Sequence, residues 1–155
     1  MSEVVVGQAI PSFTATSTRG DISAEDLRGR YSVLYFYPKD NTPGCTTQAQ
    51  NFRDLHNDFA AAGCQVIGIS RDTLRSHEGF TDKQAVPYPL IADPDESLCQ
   101  LFGVMKLKNM YGKQVRGIER STFLVDPQGV LVKAWRGLRV PGHVDEVLQA
   151  VQSRP

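Results

Sequence analysis

"YSVLYFYPKDNTPGCTTQAQNFRDLHNDFAAAGCQVIGIS", residues 31–70, changes its apolar spacing twice. Residues 31–37 are rich in aromatic and apolar side chains and stop at Pro38, the pattern of a buried strand. From 43 to 62 the spacing turns helical. Ala49, Phe52, Leu55 or His56, and Phe59 share one face, and Gly63 supplies a C-terminal stop. Residues 64–70 read as a second buried strand. Strand, long helix, strand is a βαβ unit, which predicts parallel strands and a right-handed crossover.

Outward from this unit, residues 12–16 predict a short edge strand. Ser23 and Asp26 form a capping box with Asp in place of Glu, opening a short helix that Gly29 ends. Residues 73–85 predict a weaker helix, Pro87-Tyr88-Pro89 breaks the chain, and 90–92 predict a short strand. Residues 95–102 predict a short helix with Leu98, Leu101 and Phe102 inward, and 103–117 read mostly as loop. Two strands, 121–125 and 130–135, are joined by Asp126-Pro127-Gln128-Gly129, a type I turn, and pair antiparallel. Val144, Val147, Leu148 and Val151 mark a final helix. The sum is one α/β domain over 1–155, a thioredoxin-like fold with a central mixed β-sheet flanked by helices on both faces.

Composition narrows the function. Lys+Arg and Asp+Glu are both 17, so the net charge is zero, and no long-range field draws nucleic acid or an anionic membrane. Lys106, Lys108, Lys113 and Arg116 read as a solvated loop. The N-terminal stretch lacks the basic and apolar regions of a signal peptide, and no apolar run approaches a membrane span. Three scattered cysteines make no disulfide framework and no metal-ligand spacing, which points to the cytoplasm.

One of those cysteines opens the long helix. With Thr42 as N-cap and Pro43 at the first helical position, Cys45 falls in the first turn, where free N–H groups and the helix dipole favour negative charge. It shares the inward face with Ala49 and Phe52, at the carboxyl end of the first buried strand, where ligand sites of open α/β sheets gather. A free thiol ionises near pH 8.5, and keeping it as thiolate near neutrality takes about 2.7 kcal/mol. A helix terminus supplies roughly 0.3–1 kcal/mol, about 2 when partly buried. The shortfall calls for a fixed cation, best an arginine, from elsewhere in the chain. The other reading of Cys45 is a small buried residue filling space at a helix start.

Pro38-Lys39-Asp40-Asn41-Thr42-Pro43-Gly44-Cys45 matches the PxxxTxxC signature of peroxiredoxins. The longer "YPKDNTPGCTTQAQNFRD" resembles the bacterioferritin comigratory protein, or peroxiredoxin Q, branch. So do "VIGISRDTLRSH", "YPLIADPDESL", "YGKQVRGIERSTFLVDPQG" and "GHVDEVL", so the resemblance spans nearly the whole chain. It implies a thiol peroxidase of the thioredoxin-dependent type with no metal and no organic cofactor. Cys45 would be the peroxidatic cysteine and become a sulfenic acid. Thr42 would hydrogen-bond the hydroperoxide, Pro38 would shield the sulfur, and the backbone N–H of Gly44 would help bind the substrate. Arg120 would be the family arginine, the cation that the thiolate requires. Tyr111 is a further candidate for the substrate pocket, while Trp135 reads as packing.

The chain departs from the branch at the resolving cysteine. That residue often lies five positions after the peroxidatic one, here Gln50, or about 36 after it, here Thr81. Cys64 stands at the far end of the same helix, roughly 28 Å away at ~1.5 Å per residue, and reads as a buried strand residue. Cys99 remains a candidate resolver, with core packing preferred. The leading expectation is a monomer of one-cysteine type, reduced by an external thiol such as glutathione, glutaredoxin or thioredoxin. Alternatives are a two-cysteine enzyme using Cys99, a peroxide sensor or holdase without turnover, a thioredoxin-type oxidoreductase lacking its second cysteine, and a Cys–His hydrolase. For the last, His56 is too far down the helix, and His77 and His143 read as surface or cap residues.

Overall fold

A computed structural model of the chain describes residues 4–153. The first three and last two residues lie outside it, and with them the ends of the 1–155 domain span and the start of the stretch read as lacking a leader. The elements run β1 (Thr14–Ser17), β2 (Gly20–Ser23), a 3-10 helix (Ala24–Leu27), β3 (Tyr31–Phe36), α1 (Pro43–Asp54), α2 (His56–Ala61) and β4 (Cys64–Ser70). They continue with α3 (Leu74–Gln84), β5 (Leu90–Ala92), α4 (Ser97–Leu101), β6 (Met105–Met110), β7 (Lys113–Ile118), β8 (Ser121–Val125), β9 (Leu131–Arg136) and α5 (His143–Gln152).

Seven strands form one mixed sheet in the order β2-β1-β5-β4-β3-β8-β9. β3, β4 and β5 are parallel, as the βαβ reading requires, while β8 runs antiparallel to β3 and β9 antiparallel to β8. The capping box at Ser23 is present in both directions. The turn before β9 closes through the Gly129 N–H, which donates to the Asp126 carbonyl at 2.9 Å.

Three sequence readings need correction. The 12–16 strand is not an edge: β1 lies between β2 and β5, and the edge is β2, whose "GDIS" carries too little apolar pattern to read as a strand. The 43–62 helix is two helices, broken at Leu55 (φ −102°, ψ 9°). No proline or glycine marks that break, and Phe52 and Phe59 still pack together, 5.7 Å between ring centroids. The supposed 103–117 loop is a β-hairpin, β6–β7, forming its own two-stranded sheet. Its turn places Tyr111 (φ 54°) and Gly112 (φ 79°) both in the left-handed region, the geometry of a two-residue type I′ turn. Leu107 and Val115 are exposed on it, so the burial periodicity that betrays a strand is missing.

The sheet separates two cores, and the alternation of side chains along β3 shows how. Val33, Tyr35 and Tyr37 face one core with residues of α1, α2, α3 and α5. Leu34 and Phe36 face the other with Leu27 of the 3-10 helix and Leu98, Cys99 and Phe102 at α4. Helices therefore cover both faces. At the centre, β3, β4 and β5 meet at Gly68, where a Cβ would lie 2.7 Å from Leu90 Cδ2 and 2.9 Å from the Tyr35 ring. Gly68→Ala is expected to destabilise the fold by about 1–3 kcal/mol through overpacking. A shift in the urea midpoint at unchanged m-value would measure it; an unshifted midpoint would mean that the ring and Leu90 move aside freely.

Candidate active site

Register decides what meets at the end of β3. Phe36 pairs with Ser121 and with Ile69, so Arg120, one residue ahead of β8, stands level with Tyr37. The chain then leaves the sheet as the loop 38–42 and enters α1. Asn41 takes a left-handed φ of 65°, and Thr42 is the extended N-cap (φ −91°, ψ 153°). The Thr42 hydroxyl makes no capping bond; it donates to the Lys39 carbonyl at 2.9 Å. Its proton is thus engaged, and its lone pairs are left to accept. The helical ladder begins with Thr46 N–H to the Thr42 carbonyl, so the N–H groups of Gly44 and Cys45 lie in the first turn ahead of it.

Cys45 is 2% exposed and belongs to the first core, with Ala49, Phe52 and Tyr35. Arg120 reaches it from the other side, with Nη2 donating to Sγ at 3.3 Å. Nη1 donates to Gln48 Oε1 at 2.6 Å. Among the described residues no carboxylate pairs with this guanidinium, so its charge is directed at the sulfur. A thiolate and a guanidinium at this separation attract by on the order of 5 kcal/mol at an effective dielectric of about 20, before the burial of both charges is counted. That exceeds what the helix terminus supplies. Gly44 permits the approach: a Cβ there would stand 3.3 Å from Nη2. Backbone bonds hold Arg120 on both flanks, Glu119 N–H to the Val104 carbonyl at 2.7 Å and Leu138 N–H to the Arg120 carbonyl at 3.1 Å.

Gln48 is the residue that the sequence reading missed. It is fully buried one turn after Cys45 on the same face. Because Oε1 accepts from Arg120, Nε2 points elsewhere, and it has no hydrogen-bond partner. A polar residue three positions after Cys45 on an otherwise apolar face was the available signal.

The remaining candidates separate cleanly. Pro38 is half-buried directly after Tyr37, in the loop beside the thiol. Tyr111 sits at the tip of the β6–β7 hairpin and is 99% exposed, so no surrounding protein encloses it as a pocket wall. Trp135 packs beside the first core and donates through Nε1 to Glu146 Oε2 at 3.0 Å. Cys64 opens β4 opposite Tyr31, at the far end of β3 from Cys45, a separation of about 20 Å for a six-residue strand. Cys99 is fully buried in the second core, so the sheet stands between it and Cys45. Burial, aided by the adjoining Asp93 carboxylate, pushes the Cys99 thiol up, which keeps it a poor nucleophile. Gln50 and Thr81 hold no thiol; Gln50 Nε2 donates to Gln84 Oε1 at 2.9 Å, tying α1 to α3.

Among the described residues no histidine partners the Cys45 sulfur. His77 and His143 are not surface residues: His77 is fully buried against Asp40, and His143, the first residue of α5, lies under Trp135 with Nε2 at 2.9 Å from Thr122 Oγ1. Their neighbours, an acid and a hydroxyl from distant parts of the chain, explain why sequence spacing concealed this. Burial lowers the His143 pKa to about 4; the Arg120 charge adds to the shift and Glu146 opposes it.

Comparison with known proteins gives the family and the fold. The family model for the AhpC/TSA family matches residues 6–134. Peroxiredoxin Bcp of Xanthomonas campestris pv. campestris is 54% identical over 125 residues, 81% of this chain and 78% of that protein. Peroxiredoxin Bcp of Bacillus subtilis is 44% identical over 150 residues, 96% of each. Among solved structures, Xanthomonas campestris peroxiredoxin Q superposes with a TM-score of 0.87 at 48% identity, covering 92% of this chain and 90% of that one. A cysteine-to-serine mutant of Xylella fastidiosa PrxQ gives 0.92 at 39% identity, covering 99% and 98%.

Two outcomes test the electrostatics of the site. Arg120→Ala removes the cation at the sulfur and is expected to slow iodoacetamide alkylation of Cys45 at neutral pH by about tenfold or more; an unchanged rate would deny the contact any role in holding a thiolate. His143 titrates lower in the folded chain, so as the pH falls the unfolded chain takes up the proton first. Its contribution is intact above about pH 6.5 and is lost progressively towards the folded value of about 4. Urea unfolding at pH 7 and pH 5 is expected to show the parent losing on the order of 1–2 kcal/mol more than His143→Gln; equal losses would refute it.

Proposed function

The chain belongs to the AhpC/TSA family, in its Bcp or peroxiredoxin Q branch, and from that premise we propose a peroxidase of one-cysteine type in which Cys45 is the peroxidatic residue. The single observation that carries the assignment is the 3.3 Å approach of Arg120 Nη2 to Cys45 Sγ at the first turn of α1. The Cys45 thiolate attacks one oxygen of ROOH, the O–O bond breaks, and the departing RO⁻ takes a proton to leave as alcohol or water. Cys45 is left as a sulfenic acid. Negative charge moves from sulfur to the leaving oxygen during this step. Arg120 and the N–H groups of Gly44 and Cys45 are donors fixed at both ends of that movement. Thr42, whose own proton is held by Lys39, accepts the hydrogen of the bound peroxide, and Pro38 limits water at the sulfur. Gln48 holds the guanidinium in place through Oε1.

A relative supports the substrate class. A solved structure of the Xanthomonas campestris bacterioferritin comigratory protein, 47% identical, concerns alkyl peroxide reduction with a trapped intermediate and ligand. We extend organic hydroperoxides to this chain from that relative, and add hydrogen peroxide, the same reaction with R as hydrogen.

The reductant is an external thiol R′SH. It condenses with the sulfenic acid to a mixed disulfide and water, and a second R′SH releases Cys45 and R′SSR′. Glutathione, glutaredoxin and thioredoxin are the candidates. Supporting this, Cys64 lies at the opposite end of β3 and Cys99 across the sheet, each beyond the Cα separation of about 7 Å that a disulfide tolerates without backbone movement. The protein acts as a cytoplasmic monomer in this reading. Among the described residues no helix is long and apolar enough to cross a membrane.

Peroxide-treated protein is expected to run as a monomer on a non-reducing gel, to take a sulfenate probe at Cys45, and to form a glutathione adduct there by mass spectrometry. A Cys45–Cys99 disulfide in the peptide map would replace the one-cysteine mechanism with the two-cysteine one. Oxidation without turnover in any of the three thiols would favour the sensor.

A further inference from the structure

Beneath the 38–42 loop lies a buried polar cluster that makes no contact with the sulfur. His77 of α3 and Asp40 of the loop, 0% and 4% exposed, meet there with Nδ1 at 2.7 Å from Oδ2. The other ring nitrogen, Nε2, is 2.9 Å from the Ile91 carbonyl. A carbonyl only accepts, so Nε2 carries a hydrogen. A bare Nδ1 facing a carboxylate at 2.7 Å would set two acceptors against each other, so a proton lies between them. Asp40 also accepts from the Tyr37 hydroxyl at 2.6 Å and the Ser76 hydroxyl at 2.8 Å. Burial acts to raise the Asp40 pKa, but the hydrogen bonds from His77, Tyr37 and Ser76 outweigh it and hold the carboxyl below its usual range. One hydrogen thus lies on Nε2 and one between Nδ1 and Oδ2, and His77 and Asp40 form a hydrogen-bonded pair.

The same residue is held by its backbone. The Asp40 N–H donates to Asp72 Oδ2 at 2.9 Å, and the Ser70 hydroxyl donates to that oxygen at 2.6 Å. Asp40, Asp72 and His77 bring their ligand atoms within 4.8 Å, a donor set of the kind that cations favour. Yet Asp40 already accepts from two hydroxyls and Asp72 Oδ2 from a hydroxyl and an N–H, and the proton between Nδ1 and Oδ2 stands where the metal would. The cluster is a clamp. It fixes Asp40 from β3, α3 and the segment after β4, one residue before the left-handed Asn41 and two before Thr42.

We propose that His77 is a positioning residue for the peroxidase reaction: paired with Asp40, it sets the loop that presents Pro38 and Thr42 to the substrate. This rests on the peroxidase reading above and adds a residue that touches neither sulfur nor peroxide. The clamp acts on the loop and leaves the Arg120–Cys45 contact, supplied by α1 and β8, in place. Peroxide reduction and simple alkylation therefore respond differently to its removal.

The test measures two rates in the full-length protein, sulfenate formation with hydrogen peroxide and alkylation with iodoacetamide at the same pH. His77→Ala and Asp40→Ala, with circular dichroism unchanged, are expected to slow the peroxide step at least about fivefold while alkylation changes less than about twofold. Asp40→Asn, whose amide can still donate to a neutral imidazole, is expected to recover part of the loss. Should the alanine variants not fold, Asp40→Asn and His77→Gln carry the same criterion. A smaller loss of peroxide rate or a parallel fall in both rates overturns the proposal. A parent inert to peroxide overturns the peroxidase reading itself, whereas an active parent with equally active variants overturns this inference alone.

Discussion

A sulfur buried at the start of a helix is chemically quiet unless something holds its charge. The helix terminus of α1 is worth roughly 0.3–1 kcal/mol, about 2 when partly buried, and is not enough. The guanidinium of Arg120 is the second positive group at the sulfur; it cannot lose its proton, and no acid among the described residues competes for it. The rest of the site serves this contact. Gly44 leaves room for it, Gln48 orients it, and the backbone on either side of Arg120 is tied to Val104 and Leu138. The antiparallel register of β3 and β8 is what delivers the arginine, since Ser121 opposite Phe36 leaves Arg120 level with the loop.

The sheet also keeps the cysteines apart. Alternation along β3 sends Tyr35 and Tyr37 to the Cys45 side and Leu34 and Phe36 to the Cys99 side. The sheet thus stands between Cys45 and Cys99, which is what the proposed external reductant rests on. Gln50 and Thr81 hold no thiol, and Gln50 instead braces α1 against α3.

The active-site loop is short and carries no ladder bonds of its own, so its shape is borrowed. Asp40 links it to Tyr37, Ser76, His77 and Asp72, and Thr42 closes it onto Lys39. The buried polar pair is tolerated here because both His77 ring nitrogens and both Asp40 oxygens have hydrogen-bond partners.

Much of this was legible in the chain. The βαβ unit, the turn at Asp126, the capping box at Ser23 and the first-turn position of Cys45 are local patterns, each set within a few residues by spacing or backbone preference. The need for an arginine followed from magnitudes, and the resemblance picked out Arg120. The β6–β7 hairpin was not legible because it stands off the core and its strands alternate no burial. The break at Leu55 had no glycine or proline to announce it, and Tyr111 looked like a pocket residue until the hairpin tip proved exposed. Gln48 and His77 took their meaning only from partners 72 and 37 positions away. Local sequence determined the βαβ unit, most of the other helices and sheet strands, and which thiol sits at a dipole; β2, the β6–β7 hairpin and the break at Leu55 were exceptions. Tertiary structure alone decided what faces that thiol and which side of the sheet the others occupy, because those relations arise from register and packing between residues far apart in the chain.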